Sequence, residues 1–230
     1  MVRRVTMEGD AVSSSAAVLG FSRPSFHGAT SRPGCVDDVS SGRLVTVGFC
    51  VQNLEEGGTI WLTGLVSSGK TTLARALETR LLEYGHRVQV LDGDAVRMHL
   101  TKDLGFSRED RDENIRRIGF VASLLARNGI VVIASVISPY RITRDEVRAL
   151  HDGRFVEVYL ATPLELCEAR DVKGLYALAR AGRLANLTGV DDPYEPPLEP
   201  EIVIDTTGRT VDESLTQLWG ALIRLPRRST

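Results

Sequence analysis

Cysteine is scarce in this chain, and the little there is lacks pattern. Only Cys35, Cys50 and Cys167 occur, an odd number with no C-x-x-C pair. That spacing argues against a disulfide framework or a zinc site and fits a reducing compartment, read here as cytoplasmic. The four histidines, His27, His86, His99 and His151, lack metal-ligand spacing and read as surface or packing residues. No apolar run approaches the roughly 18 residues that a membrane-spanning helix needs. Basic charge is not in excess either. The net charge of -2 gives no global field for nucleic acid, and no basic stripe interleaved with aromatics is present. What remains, 43% hydrophobic and 25% charged over 230 residues, suits one globular domain with a sizeable core.

The first forty or so residues differ in texture from the rest. Ser13-Ser14-Ser15, Ser22, Ser25, Ser31, Ser40 and Ser41 accompany Gly and Pro without periodicity, the composition of a flexible head. Arg3 and Arg4 open it, but no apolar signal-peptide core follows. A Ser/Arg-rich transit peptide is the alternative, opposed by Glu8 and Asp10, and Met7 is a second candidate start. The expected organisation is a flexible extension and lead-in over residues 1–56 and a single domain over 57–230.

From about residue 57, strand-like and helix-like runs alternate. Strands are expected at 60–63, 87–91, 130–134, 155–160 and 202–205. Helices are expected at 71–84, 107–128, 141–150, 163–169 and 211–225. The run Ile130-Val131-Val132-Ile133-Ala134 is apolar throughout, as a strand buried on both faces of a parallel sheet would be. Such alternation predicts an α/β fold with a mainly parallel sheet, helices on both faces and ligands outside the carboxyl ends of the strands.

Gly64 to Thr71 read G-L-V-S-S-G-K-T, the pattern G-x-x-x-x-G-K-[ST] between a strand-like and a helix-like run. A strand that turns sharply into a helix aims backbone N–H groups and a positive dipole end at one point, where phosphate oxygens fit. Lys70 would add charge at the β- and γ-phosphates, and Thr71 would offer its hydroxyl to magnesium. Leu91-Asp92-Gly93-Asp94 follows the second strand on the same rim. A carboxylate there either holds hydrated magnesium or takes a proton from an attacking hydroxyl, with Asp94 the preferred base. An Asp-Gly turn used only for its backbone geometry is the plainer alternative.

Ser107 and Asp110 read as a capping pair that starts a charged helix. On it Arg111, Asn114 and Ile118 recur at helical spacing, with Arg97 nearby in sequence. They either line a solvated face or present guanidinium and amide groups to one anion. Phe106, just before the cap, is a staple residue or a stacking platform. Ser138 in Ile137-Ser138-Pro139-Tyr140-Arg141 either caps the next helix or faces the phosphates. Arg170 to Arg183 and the loop-like 187–197 together look like a lid that supplies cations and excludes water.

Taken together, T-G-L-x-x-S-G-K-T-T at 63–72, L-D-G-D at 91–94, D-L-G-F-S-x-E-D-R-x-E-N-I-R-R-I-G at 103–119, I-S-P-Y-R at 137–141, F-V-E-V-Y at 155–159, R-D-x-K-G-L-Y at 170–176 and Y-E-P-P at 194–197 resemble the adenylylsulfate kinase family. The likeness covers residues 57–225. It implies a P-loop NTPase-like three-layer α/β/α sandwich with a helical and loop lid. It also implies transfer of phosphate from MgATP to the ribose 3′-hydroxyl of adenosine 5′-phosphosulfate (APS). By the same resemblance Gly64, Ser67, Ser68, Gly69, Lys70, Thr71 and Thr72 hold ATP, Thr71 and Asp94 hold Mg2+, and Lys70, Asp94 and Ser138 are catalytic. The acceptor falls to Asp94, Arg97, Phe106, Arg111, Asn114, Ile137, Ser138, Lys173, Gly174, Leu175 and Leu187, with Phe106 stacking on the adenine. Ser138 matches a serine assigned in the family as a phosphoenzyme site, although direct in-line transfer needs only positioning and charge. A homodimer is expected by the same likeness.

The chain departs from the family pattern at Val66-Ser67 for Ser-Gly, Ala95 for Asn, Phe120 for Glu, Val172 for Pro and Leu187 for Phe. An aliphatic Leu187 would remove one of two faces about the adenine, and stacking is worth about 1–3 kcal/mol per base. Two other readings therefore stay open. One is a paralogue acting on a ribose hydroxyl of another nucleotide or nucleoside. The other is a catalytically silent nucleotide-binding regulator, which intact Lys70, Thr71, Asp94, Arg97 and Arg111 oppose.

Overall fold

Strands with continuous apolar runs need cover on both faces, and helices on each side of one sheet provide it. The computed structural model describes residues 54–226, so the expected flexible head lies outside the described residues. The elements in order are β1 (Gly58–Thr63), α1 (Lys70–Glu83), β2 (Val88–Asp92), α2 (Gly93–His99), α3 (Arg108–Arg127), β3 (Val131–Ser135), α4 (Arg141–Ala149), β4 (Phe155–Leu160), α5 (Leu164–Arg170), α6 (Leu175–Arg180), β5 (Ile202–Ile204) and α7 (Val211–Arg224). The sheet order is β2-β3-β1-β4-β5, and every neighbouring pair is parallel. Ile60 in β1 is in register with Ile133 in β3 and Val156 in β4, so β1 is the central strand.

Alternation along the strands divides the core. Ile60, Leu62, Ile133, Val158 and Leu160 pack with Leu73 and Leu77 of α1 and with Leu215, Leu218 and Trp219 of α7. Trp61 and Ala134 point the other way, against Ile115 and Ile118 of α3 and Val147 of α4. This makes the three layers that the sequence predicts. Leu54 is also in the first cluster, so the packed body begins slightly before residue 57. At Gly119, α3 and α4 meet closely: a Cβ there would lie 2.5 Å from a methyl of Val147.

Local signals set the helix ends. The Ser107 hydroxyl accepts the Asp110 N–H at 3.1 Å, starting α3 where the sequence places its cap. A capping box not foreseen from sequence starts α7, with Thr210 and Glu213 bonding reciprocally. No described helix is long and apolar enough to cross a membrane.

Candidate active site

The sharp turn out of the central strand builds the site. After β1 the chain passes through Gly64, and Gly69 at φ 99° leads directly into α1. Lys70 is buried against this loop, its Nζ donating to Gly64 O at 2.9 Å, Leu65 O at 2.6 Å and Ser68 Oγ at 3.3 Å. Burial lowers its pKa from the usual 10.5 to about 8. Behind the loop, Thr162 and Thr206 hydroxyls each donate to Ser68 O at 3.3 Å, pinning it to the ends of β4 and β5.

Thr71 Oγ1 donates to Asp92 Oδ2 at 2.9 Å and lies 3.3 Å from Ser135 Oγ. Asp92 Oδ1 accepts the Asp94 N–H at 3.1 Å and so caps α2. Three oxygen donors at one point suit a hard cation such as Mg2+. Among the described residues no three His, Cys, Asp or Glu side chains converge. The sequence expectation pairs Thr71 with Asp94 at the metal; in the structure the carboxylate that Thr71 touches is Asp92. Asp92 ends β2 and faces Thr71, whereas Asp94 lies in the first turn of α2, is largely exposed, and pairs with Lys173.

One cavity of about 440 Å3 runs along the carboxyl ends of the strands. Of the residues expected from sequence, it is lined by Ser67, Gly69, Lys70, Thr71, Thr72, Asp94, Arg97, Arg111, Asn114, Ile137, Ser138 and Lys173. Gly64, Ser68, Phe106, Gly174, Leu175 and Leu187 do not line it.

On the acceptor side, guanidinium groups crowd around Phe106. Arg97 Nη1 donates to Gly105 O at 3.0 Å, and its guanidinium lies 4.5 Å from the Phe106 ring centre. Burial, and then the neighbouring Arg111 charge, hold the Arg97 pKa below its ordinary value. Arg111 donates to Phe106 O at 3.0 Å, to Thr188 Oγ1 at 3.0 Å and to Asn186 O, so it ties the start of α3 to the 186–188 loop. Phe106 is 59% exposed, and the position where a staple partner would sit is Arg111, so Phe106 serves no staple. Asn114 accepts the Thr101 hydroxyl at 2.7 Å.

Leu187 is buried and does not line the cavity. Asp191 accepts the N–H groups of Asn186 and Leu187, both at 2.6 Å, and the loop curls inward. Leu187 is then buried with Val66, Cys167 and Tyr176 beneath the phosphate loop. The departure from the family's aromatic thus sits in a packing cluster.

Ser138 does not cap α4; Tyr140 precedes that helix without a side-chain cap. Ser138 is buried at φ 41°, accepts Trp61 Nε1–H at 3.0 Å and donates to Thr63 Oγ1 at 2.9 Å. Arg144, itself buried and paired with Glu157 at 2.8 Å, donates to Ser138 O at 2.6 Å. The hydroxyl is thus committed within the protein.

Sequence reading weighed Asp92 as one acid of the Asp-Gly-Asp turn but preferred Asp94, and took Arg170 as part of the lid; it missed Ser135 and the cavity residues Thr206, Arg209, Thr210 and Val211. Arg170 donates to Thr206 Oγ1 and Thr206 O, each at 2.9 Å. The rule that ligands gather at the carboxyl ends of strands, applied to β5, was the signal available for Thr206.

The family model for adenylylsulphate kinase matches residues 56–205. The adenylyl-sulfate kinase of Rippkaea orientalis is 60% identical over 171 residues, covering 74% of this chain and 94% of the relative. The Mycobacterium tuberculosis APS kinase, solved in complex with AMPPNP and APS, superposes with a TM-score of 0.70 at 45% identity, covering 73% of this chain and 98% of that one. A hexameric APS kinase from Thiobacillus denitrificans gives a TM-score of 0.57 at 42% identity, covering 74% of this chain and 29% of that one. With matches of this extent, and with the phosphate loop and its carboxylate on one rim, the chain belongs to the adenylylsulphate kinase family.

Proposed function

We propose that this chain transfers the γ-phosphoryl group of ATP to the ribose 3′-hydroxyl of APS, giving 3′-phosphoadenosine 5′-phosphosulfate (PAPS) and ADP. One observation carries the reading. A single cavity holds the phosphate loop at Lys70 and Thr71 together with the cations Arg97, Arg111 and Lys173. A donor triphosphate and an anionic acceptor can therefore meet there. The Mycobacterium tuberculosis relative, bound to AMPPNP and APS, supports the same pairing.

Phosphoryl transfer asks the protein for positioning and charge stabilisation rather than covalent chemistry. Lys70, now on the carbonyls of its own loop, is within a side-chain swing of a phosphate seated on α1. Thr71 and Asp92 would hold Mg2+, which neutralises developing phosphate charge when bound. Asp94, exposed at the cavity and paired with Lys173, is placed to take the proton of the attacking hydroxyl once Lys173 turns to the nucleotide. The buried ring of bonds around Ser138 supports a positioning role for it rather than a covalent one.

Leu187 is the residue that motivated another acceptor, and its burial removes that motive. The proposal includes a homo-oligomer, most simply a homodimer, a cytoplasmic setting, and a place in sulfate activation. The domain organisation proposed is a kinase domain from about residue 57 preceded by an extension. A coupled ADP-release assay tests the function with APS beside a panel of nucleosides and nucleotides. APS-dependent release that Lys70→Ala abolishes is the expected result. Turnover of another nucleoside without turnover of APS overturns it.

A further inference from the structure

Thr188 stands between a buried guanidinium and a half-buried carboxylate, and its hydroxyl bonds to both. Oγ1 accepts an Arg111 Nη1–H at 3.0 Å and donates its own proton to Asp192 Oδ2 at 3.3 Å. Thr188 is 1% exposed, so water does not compete for either bond. Asp192 is itself fixed. Its Oδ1 accepts the Tyr140 hydroxyl at 2.9 Å, and its backbone carbonyl accepts the Gly189 N–H at 2.7 Å. The carboxylate comes no nearer to the Arg111 Nε than 3.8 Å, so the two charges are joined chiefly through the Thr188 hydroxyl.

This relay decides how Arg111 faces the cavity. A guanidinium has five N–H groups in one plane. Three are used within the protein, on Phe106 O, Thr188 Oγ1 and Asn186 O. With the plane set by those three bonds, the direction of the other two N–H groups is set as well, and Arg111 lines the cavity. Neither Thr188 nor Asp192 lines it. Any effect of this pair on a ligand there passes through Arg111.

We propose that Thr188, held by Asp192, is a positioning residue for the acceptor: it sets the plane in which Arg111 presents its remaining N–H groups to the acceptor's anionic group. The inference rests on APS being the acceptor in the proposed function, and it deepens that reading by naming what orients the acceptor's cation.

Thr188→Val keeps the branched shape and removes the hydroxyl, leaving an Arg111 N–H and an Asp192 oxygen against a methyl group. Thr188→Ser keeps the hydroxyl. Steady-state kinetics with APS and MgATP varied separately read the effect. Thr188→Val is expected to raise the KM for APS roughly tenfold, as for loss of a hydrogen bond to a charged group. Its kcat and its KM for MgATP should stay within about threefold of wild type. Thr188→Ser should bring the KM for APS back to within about threefold. In an Arg111→Ala background, Thr188→Val should add less than about twofold, because the group it orients is gone. Thermal unfolding checks the fold of each variant; should Thr188→Val not fold, Asp192→Asn, which removes the charge and keeps the shape, is read in the same assay with the same expected rise. An unchanged KM for APS, an equal rise for APS and MgATP, no recovery in Thr188→Ser, or the full loss repeated on top of Arg111→Ala overturns the proposal. Turnover of another nucleoside but not of APS by the wild-type chain would instead overturn the proposed function.

Discussion

Thr71 donates its hydroxyl proton to Asp92 at 2.9 Å, joining the first turn of α1 to the last residue of β2. The same carboxylate caps α2 through its other oxygen, so one side chain fixes the rim on which donor phosphate and acceptor meet. Asp94, two residues on, faces Lys173 instead. The two acids of one Asp-Gly-Asp turn therefore carry different tasks.

Asp92→Asn separates those tasks. Asn caps a helix about as well as Asp, so α2 is expected to persist while the charge is lost. The magnesium concentration for half-maximal turnover should rise by about 10- to 100-fold. A magnesium titration of turnover checks this, and an unchanged requirement would return the metal to Asp94.

Ser138→Ala leaves the Trp61 indole N–H without its acceptor in a buried site. We expect a loss of about 1–3 kcal/mol in chemical denaturation. Turnover should survive to within about tenfold, against the roughly million-fold loss when a true serine nucleophile is deleted. A kinetically competent phosphoserine at position 138, seen by intact mass in rapid-quench samples, would contradict this.

Lys70 gives the free protein a pH signature. Burial holds its pKa near 8, so between about pH 8 and 10.5 the unfolded chain binds the extra proton. The Lys70 contribution therefore makes stability rise with pH across that window. A phosphate beside the ammonium favours the charged form and reverses the shift. Nucleotide binding near pH 9 should take up protons, and affinity should fall as pH rises above about 8. Calorimetry in buffers of different ionisation enthalpy reads the uptake directly. The Lys70→Met variant should lose it.

Gly119→Ala would place a Cβ 2.5 Å from Val147, forcing α3 away from α4. The expected cost is about 1–3 kcal/mol, seen as a lower melting temperature with nucleotide affinity retained.

The layers were legible because they depend on local patterns. The apolar run before Ser135 marked a doubly covered strand, and Ser107 marked the start of α3. The phosphate loop was legible because strand, glycines and lysine are contiguous. What sequence could not resolve was orientation. Asp92 and Asp94 look equivalent in one turn until the immediate start of α2 sends them apart. Ser138 reads as a cap or as a group facing the phosphates until Trp61, 77 residues away, is found donating to it. Leu187 reads as a base-stacking position until Asp191 is seen curling its loop toward Val66. Thr206 carries no motif, and only the sheet order brings it to the phosphate loop.

The most direct test of the central claim is the position of the transferred phosphate. Incubating the chain with MgATP and APS and following the mixture by 31P NMR should show a phosphomonoester growing as the ATP γ signal falls. Its coupling to the ribose 3′-proton of the sulfated nucleotide would identify PAPS. No APS-dependent ester, or an ester at another hydroxyl, would contradict the account.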